Sequence, residues 1–225
     1  MGDCMTRSFD VLLAGLALLL LSPIFLISIV VLRFTGEGEV FYVQQRVGRD
    51  GRRFRLLKFA TMVKNSPNMT TGTVTLKNDP RILPVGQFFR KTKINELPQL
   101  INILVGDMSI IGPRPQAERC FAAFPIDVQN EITKVRPGLS GIGSIVFRDE
   151  EELLQSAQDD VAFYDRVIAP YKGALEKWYI ANQGVVTYFL LIVTTAWVVV
   201  FPTSKIVWKL FRDLPEPPAE LAGRV

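Results

Sequence analysis

Two long apolar stretches flank a charged central region of the chain. The first runs from Val11 to Leu32 without a charged residue, and the second runs from Val185 to Phe201. Between them, hydrophobic and charged residues are mixed as in an ordinary globular domain. The pattern predicts two membrane-associated helical segments around one domain with its own core.

The first stretch is interrupted near its centre by Ser22-Pro23. A straight helix of this length would measure roughly 33 Å, enough to cross a hydrocarbon core of about 30 Å. Proline removes a backbone donor, and a serine hydroxyl can satisfy the carbonyl that loses its partner. The residues alone leave a kinked spanning helix and a re-entrant hairpin both open. The basic loop after Leu32 is expected to stay in the cytoplasm. A cleaved signal peptide is disfavoured, because the run is too long and no small-residue cleavage site follows.

The second stretch carries a polar or small face at helical spacing. This face predicts a helix that lies in the membrane interface, with Trp197 and Trp208 at headgroup level. A second spanning helix is the alternative, and the basic residues after Phe201 argue against it. The residues of the face are Gly184, Thr187, Tyr188, Thr194 and Thr195. The proline-containing tail, Asp213 to Val225, is predicted to be frayed.

The composition excludes several kinds of catalytic and metal-binding site. The 225 residues are 48% hydrophobic and contain no histidine, so histidine bases, Ser-His triads and imidazole metal sites are excluded. Cys4 and Cys120 lie far apart and predict neither a disulfide framework nor a zinc site.

The net charge is only +4, but six cations cluster after the first apolar stretch. They are Arg46, Arg49, Arg52, Arg53, Arg55 and Lys58. A solvated face is one explanation, and a surface for anionic headgroups or phosphate-bearing substrates is the other. Nucleic acid is disfavoured, because the run lacks interleaved aromatic residues.

Candidate chemistry concentrates between residues 77 and 115. We expect one helix from about Val85 to Lys93, carrying Arg90 and Lys91, and a second that opens at Asn95 as N-cap and ends at Gly106. Asn95 and Glu96 would then lie at a helix N-terminus, where free amides and the macrodipole favour phosphate. With the nearby cations this predicts a diphosphate site, in which Glu96 could hold a Mg²⁺ shared with substrate phosphates. An ordinary capped surface helix is the alternative.

Two stiff turns carry arginines. Pro113 and Pro115 bracket Arg114, which restricts the backbone and presents the guanidinium at low entropic cost. The segment from Arg136 to Gly141, RPGLSG, repeats a stiff turn that begins with a cation. Both arginines are candidates for binding substrate phosphate, and a purely structural turn is the alternative.

These motifs together resemble the bacterial sugar transferases known as monotopic phosphoglycosyl transferases. The resemblance rests on Glu96-Leu97-Pro98-Gln99-Leu100, Asn102, Gly106-Asp107-Met108-Ser109 and Gly112-Pro113-Arg114-Pro115. It extends to the Ser22-Pro23 break, the Arg-Val-Gly around Arg46, Arg90, the RPGLSG turn and the chain from Tyr171 onward. It therefore covers most of the chain.

The resemblance implies a small, mostly helical α/β domain with an N-terminal re-entrant helix-break-helix and interfacial amphipathic helices. The expected divisions are a membrane hairpin at 1–34, a catalytic domain at 35–182, an interfacial helix at 183–212 and a flexible tail at 213–225. Family members use a UDP-sugar, a polyprenyl phosphate such as undecaprenyl phosphate, and Mg²⁺, and they release UMP. The implied location is the cytoplasmic face of the bacterial inner membrane, as a monotopic protein at the first membrane step of a glycan pathway.

One position departs from the family pattern. The resemblance implies a covalent mechanism in which the Asp of an Asp-Glu pair attacks the sugar-bearing phosphate, and this chain has Asn95 at that position. A carboxamide cannot form the acyl-phosphate that such a mechanism needs. Glu96 matches the second acid, which is associated with Mg²⁺, and Arg90 matches a phosphate-binding arginine.

Several explanations of Asn95 follow from the sequence. The chain is an active variant that uses another nucleophile, such as Glu96 or Asp107, or that transfers directly between bound substrates. Alternatively it is an inactive relative that binds lipid phosphate or nucleotide sugar as a scaffold, or the asparagine is an introduced change. We favour the active variant, because the phosphate-facing residues around Asn95 are kept. A basic lipid-binding module without sugar chemistry leaves the Asn95–Pro115 motifs unexplained. The sequence does not identify the sugar that is transferred, and it leaves open whether the protein forms a homodimer.

Overall fold

The computed structural model describes residues 2–69, 79–155 and 160–225, and within these ranges the fold is mostly helical with two small sheets. The strands are β1 (Phe41–Val47), β2 (Arg53–Phe59), β3 (Ser109–Ile111) and β4 (Gly138–Ser140). The α-helices are α1 (Gly2–Leu20), α2 (Ser22–Arg33), α3 (Pro84–Lys91), α4 (Gln99–Val105), α5 (Glu118–Ala122), α6 (Ile126–Ile132), α7 (Ile142–Val146), α8 (Glu150–Gln155), α9 (Asp160–Phe163), α10 (Ala169–Ala181), α11 (Val185–Val200) and α12 (Ile206–Leu210). A π-helical turn, Tyr164–Ile168, joins α9 to α10.

Helices α1 and α2 form a bent pair at the Ser22-Pro23 break. Their axes differ by 61°. Pro23 cannot donate to the carbonyl of Leu19, four residues earlier, and the Ser22 hydroxyl donates to that oxygen instead, at 2.8 Å. The role expected for Ser22 is thus confirmed. Among the described residues no single helix has the length and hydropathy to span a bilayer, whereas the bent pair meets that test jointly.

Both ends of the bent pair pack on the same domain. Near its start, Arg7 donates to the carbonyl oxygens of Ile103, at 2.5 Å, and Leu104, at 2.8 Å, at the end of α4. Near its end, Leu32 is buried against Phe59 and Phe89. The opposite side of the pair exposes a row of apolar side chains. Its larger members are Leu12, Leu16, Leu19, Leu20, Ile24, Leu26, Ile27 and Val30.

The first sheet is an antiparallel hairpin of β1 and β2, in which Phe41 pairs with Phe59 and Val47 with Arg53. Asp50 adopts φ 57° and Gly51 φ 70° in the connecting turn. Asn102 of α4 anchors the hairpin: its side-chain oxygen accepts from the Leu57 amide at 3.0 Å, and its nitrogen donates to the Arg55 carbonyl at 2.8 Å.

The second sheet pairs β3 with β4 in parallel, Ser109 with Gly138 and Ile111 with Ser140. The RPGLSG segment, expected to be a stiff turn, therefore provides a strand. The main core lies beside this sheet, where α6, α7, the π-helical turn and α10 bury residues such as Val128, Ile142, Ile168 and Leu175.

Helix α11 packs its polar face inward. Tyr188 and Thr194 are 1% exposed, and the Tyr188 hydroxyl donates to Asp10 of α1 at 2.8 Å. The expectation that this face meets the membrane interface is wrong for these two residues, because each finds a hydrogen-bond acceptor inside the protein. The opposite side of α11 exposes Val186 and Val193.

The C-terminal tail packs on the core and is not frayed. Leu214 and Leu221 are buried, the Tyr171 hydroxyl donates to the carbonyl of Pro215 at 2.8 Å, and Trp178 donates to Asp213 at 2.9 Å. Prolines predicted an irregular chain here, but the leucines on either side of them supply enough apolar surface to hold it in place. The expected domain boundaries stay predictions.

Candidate active site

A cleft of about 1290 Å³ opens between the β1–β2 hairpin, the loop after α3, and helices α7, α8 and α11. Cationic side chains dominate its charged lining. They are Arg46, Lys58, Lys64, Arg90, Lys91, Lys93, Arg114, Arg119, Arg148 and Lys172. The acids in the lining are Glu39, Glu96, Asp149 and Glu150. A positive excess inside a concave surface favours an anionic ligand.

Glu96 lies in a cluster of charged side chains with Arg114 and Lys58, which we call the charged floor of the cleft. Its carboxylate lies 2.9 Å from Arg114 Nη2 and 3.9 Å from Lys58 Nζ. Burial alone would raise the pKa of Glu96, but Arg114, Lys58 and Lys93 outweigh it and lower the pKa to about 2. Glu96 is therefore a carboxylate whose charge is already largely compensated, which makes it a weak nucleophile.

Lys58 extends from β2 toward this floor. Burial lowers its pKa to about 7, helped by the charges of Arg114, Arg46 and Arg90 and only partly opposed by Glu96. A bound phosphate would add a negative charge beside Lys58 and favour its protonated form.

Asn95 lies in the wall of the same cleft and is 7% exposed. Lys93 takes a left-handed conformation, φ 60°, which separates α3 from a 3₁₀ turn at Ile94–Glu96. The Asn95 side-chain oxygen is buried and has no hydrogen-bond partner among the described residues. Because burying an unpaired polar atom costs about 1–3 kcal/mol, the position is suited to a ligand that supplies the missing partner.

The expected N-cap at Asn95 is wrong. Helix α4 begins at Gln99, one turn later, and no side chain in the described ranges caps the turn or the helix. The positive field at Asn95 and Glu96 therefore comes from lysine and arginine side chains rather than from a helix N-terminus. The predicted end at Gly106, φ 98°, is confirmed.

The Gly112–Pro115 loop holds Arg114 over Glu96. The Gly112 amide donates to the Ser140 carbonyl at 2.9 Å, and a Cβ on Gly112 would lie 2.6 Å from the Arg136 carbonyl oxygen. Below the loop, a carboxylate oxygen of Glu176 on α10 accepts from the Arg114 amide at 3.5 Å. Within the part of the chain that the structure describes, the other Glu176 oxygen is buried without a hydrogen-bond partner, and burial raises the pKa of this carboxyl to about 7.

The structure brings most of the predicted site residues together. Those that line the one cleft are Arg90, Lys91, Asn95, Glu96 and Arg114.

Arg136 is not part of that lining. Its Nε donates to the Gly106 carbonyl at 3.1 Å, so with Arg7 it serves the C-terminal end of α4. Ser22 and Pro23 do not line the cleft either, although Leu21 beside them does.

Three residues of the site region escaped sequence reasoning. Lys58 was one cation in a basic run, and the alternation of β2 was the signal that could have placed it beside Leu56 on the inner face. Glu176 and Asp10 were isolated acids in apolar surroundings, and nothing local distinguishes such acids from helix-surface residues.

The carboxylates of the cleft could bind Mg²⁺ only together with phosphate oxygens of a bound substrate. Among the described residues no group of three or more Cys, Asp or Glu side chains could hold a metal. Mg²⁺ in nucleotide enzymes is commonly bound through one or two carboxylates together with substrate phosphates. Glu96 provides one such carboxylate at the floor of the cleft.

Comparison with known proteins agrees with this chemistry. A family model described as "Bacterial sugar transferase" matches residues 1–202. The exopolysaccharide production protein ExoY of Sinorhizobium fredii is 34% identical over 208 residues, which cover 86% of this chain and 84% of ExoY.

Two longer relatives match over about a third of their own length. The UDP-glucose:undecaprenyl-phosphate glucose-1-phosphate transferase of Escherichia coli is 37% identical over 70% of this chain and 34% of that protein. The UDP-N-acetylgalactosamine-undecaprenyl-phosphate N-acetylgalactosaminephosphotransferase of Aeromonas hydrophila is 38% identical over 62% of this chain and 33% of that protein. The family match and the extent of the ExoY alignment lead to one conclusion: the chain belongs to the bacterial sugar transferase family.

Proposed function

We propose that this enzyme transfers a sugar-1-phosphate from a UDP-sugar to a polyprenyl phosphate, such as undecaprenyl phosphate, and releases UMP. The observation that carries the proposal is the cationic cleft with Glu96, Arg114 and Lys58 at its floor. Relatives named for this reaction with undecaprenyl phosphate support it. Exopolysaccharide production, named for ExoY, is the corresponding kind of pathway.

The site favours direct transfer between the two bound substrates. Asn95 cannot form an acyl-phosphate, Glu96 is held by Arg114 and Lys58, and Asp107 does not belong to the cleft lining. In direct transfer, an oxygen of the lipid phosphate attacks the phosphorus that bears the sugar. The bond between that phosphorus and the oxygen bridging the diphosphate breaks, and UMP leaves with the electron pair.

The residues of the chain have separate roles in this step. Arg114 and Lys58 bind phosphate oxygens and balance the charge that gathers as two anions meet. Glu96 orients Arg114 and provides a ligand for Mg²⁺, which would neutralise the diphosphate. The Asn95 carboxamide donates from its nitrogen to a phosphate oxygen, and its buried oxygen accepts from a substrate hydroxyl.

A re-entrant, monotopic arrangement at the cytoplasmic face of the inner membrane is part of the proposal. Arg7 at one end of the α1–α2 pair and Leu32 at the other both contact the domain that holds the cleft. These contacts support an arrangement in which both ends of the pair lie on the same side of the membrane. The exposed apolar row between the two ends would then face lipid.

The decisive assay is UMP formation from a panel of UDP-sugars with polyprenyl phosphate and Mg²⁺. We expect UMP only when lipid is present, and no phosphosugar adduct in the intact mass of the protein without lipid. An adduct on any carboxylate would refute direct transfer, while absence of UMP with every sugar would refute the enzyme itself.

An inactive scaffold is the second candidate, and Asn95 is the observation that favours it. This alternative predicts binding of UDP-sugar or lipid phosphate without turnover. It also predicts that Asn95→Asp creates UMP release where the parent protein has none. If the parent protein releases UMP, the scaffold is excluded.

A further inference from the structure

The cleft continues from its charged floor into an apolar groove between two helices. On α11, Ile192, Thr195, Ala196 and Val199 line it, and their spacing of three, four and seven places them on one helical face. Ala17 and Leu21 of the bent pair line the same cleft at the Ser22-Pro23 break. One cavity therefore joins the Glu96 floor to side chains of the two most apolar segments of the chain.

Hydrogen bonds fix the position of both groove walls. Asp10 of α1 accepts from Tyr188 of α11 at 2.8 Å and from the amide of Ile110 in β3 at 2.9 Å. Further along α11, the Thr195 hydroxyl is 2.8 Å from that of Ser140 in β4. The walls are thus attached to the sheet that leads to Arg114, so the groove has a fixed place relative to the floor.

The side chains that line the groove are mostly apolar, and they leave few hydrogen-bond donors or acceptors for a ligand. Thr195, its polar member on α11, already bonds Ser140 and the carbonyl of Leu191. A sugar or a nucleoside would lose hydrogen bonds with water here without replacement, whereas a hydrocarbon chain would not. Ala196 and Val199 are exposed, so the groove is open toward the same apolar surface that the helices present outward.

We propose that the α1–α11 groove holds the isoprene units next to the phosphate of the lipid acceptor, and so aligns that phosphate with the Glu96–Arg114 floor. This inference rests on the proposed function. It goes further in assigning each end of the acceptor to named residues. Ala196 and Ala17 leave room for the branched chain because their side chains are small.

The test fills the groove and compares acceptors of different length. Ala196→Trp places a bulky ring in it, and Val193→Trp is the matched control, because Val193 lies on the same helix, is exposed and does not line the cleft. Each variant is assayed with a long polyprenyl phosphate and with methyl phosphate at high concentration, a short acceptor that has no isoprene unit to enter the groove. We expect the ratio of kcat/KM, long over short, to fall about tenfold or more in Ala196→Trp, which corresponds to about 1.4 kcal/mol, and to stay unchanged in the control.

A binding measurement separates this inference from the reaction itself. A polyprenyl phosphate with a photoreactive diazirine in its first isoprene units is cross-linked to the parent protein, and the labelled peptides are identified by mass spectrometry. Labels in α11 around 192–199 and in the bent pair around 17–21, lost in Ala196→Trp but kept in Val193→Trp, support the groove even if no UMP is formed.

Other outcomes overturn the inference. Labels confined to other segments would do so, as would equal loss of both acceptors in Ala196→Trp or an equal effect of the two tryptophan variants. Absence of UMP from the parent protein, with the expected labels present, would refute the proposed function alone.

Discussion

The Ser22 hydroxyl donates to the Leu19 carbonyl oxygen, which is the acceptor that Pro23 leaves without its usual donor. In a hydrocarbon environment an unpaired carbonyl is expensive, so the serine makes the proline break tolerable. The two residues therefore act together: Pro23 bends the helix, and Ser22 donates the hydrogen bond that the Leu19 carbonyl would otherwise lack.

Replacing Pro23 with alanine should straighten the pair. Alanine restores the backbone N–H that can donate to Leu19, and the resulting longer helix is expected to cross the membrane in part of the molecules. The check uses Cys4 and a cysteine introduced at Thr35, in a Cys120→Ser background, with a membrane-impermeant thiol reagent on oriented vesicles. In the parent protein the reagent should label both cysteines from the same side of the membrane. In Pro23→Ala the two cysteines should be labelled from opposite sides in part of the molecules.

Ser22→Ala is the control for that experiment. It keeps the proline and therefore the bend, but it leaves the Leu19 carbonyl unpaired at a cost of about 1–3 kcal/mol. Same-side labelling with reduced thermal stability is expected. Opposite-side labelling of the parent protein would contradict the re-entrant arrangement.

The Glu96–Arg114 ion pair should be required for turnover. Arg114→Ala removes a cation that stabilises the charge of the transferring phosphate, and a loss of about 100-fold or more in kcat is expected. Arg114→Lys should restore little, because a lysine cannot bind Glu96 and phosphate in the same planar geometry.

Arg53 provides a matched control for this arginine. It pairs with Glu118 at 2.5 Å on an exposed surface, where an ion pair contributes only about 0–1 kcal/mol. Arg53→Ala should leave kcat and stability nearly unchanged. Comparable losses in both arginine variants would mean that Arg114 acts through folding and not through the reaction.

Binding of the UDP-sugar should weaken as pH rises through about 7. The pKa of Lys58 is lowered to about 7, so this side chain is charged below that pH and neutral above it, while Glu96 stays ionised throughout. The diphosphate of a UDP-sugar does not change charge in this range. Glu176, whose pKa is raised to about 7 by burial, titrates over the same interval beneath the Arg114 loop, so the measurement is made in a Glu176→Gln background, where the loss of affinity follows Lys58. Calorimetric titration between about pH 6 and 9, a window around the lowered pKa, measures it.

Lys58→Arg in the same background is the control for the pH effect, since arginine stays charged. Affinity in this variant should be flat over the same interval. A parallel fall in the Glu176→Gln protein and in the double variant would place the titrating group elsewhere.

Gly143 should not tolerate a side chain. A Cβ there would lie 2.4 Å from a carboxylate oxygen of Glu176, the residue beneath the Arg114 loop. Gly143→Ala should cost about 1–3 kcal/mol through overpacking, measured by denaturant unfolding, and should raise the KM for UDP-sugar. Gly184→Ala is the control, because no described residue comes within 4 Å of its added Cβ and its backbone is extended. Equal stability of the two variants would contradict the close packing at Gly143.

Local sequence signals predicted the elements that depend on local chemistry. The break at Ser22-Pro23 follows from the missing proline amide, and the end of α4 at Gly106 follows from its left-handed conformation. Arg90, Asn95, Glu96 and Arg114, which the motifs singled out, line one cleft, and their roles in the reaction stay predictions.

Long-range contacts account for what the sequence could not predict. Arg136 carries the same charge and the same flanking proline as Arg114, but tertiary packing directs it to the Gly106 carbonyl. The inward polar face of α11 depends on Asp10, which lies far away in the sequence. Asn95 was misread as a cap because the left-handed Lys93 that redirects the chain has no signature in its residue type.

The bond between Asp10 and Tyr188 joins residues 178 positions apart. A ribosome adding about 5–20 residues per second needs roughly 9 to 36 s to make the chain between them. During that interval the Asp10 carboxylate lacks its tyrosine partner, and α1 cannot make this contact with α11. Attachment of the first helix to α11 is therefore a late step in folding, which waits for synthesis of the second apolar stretch.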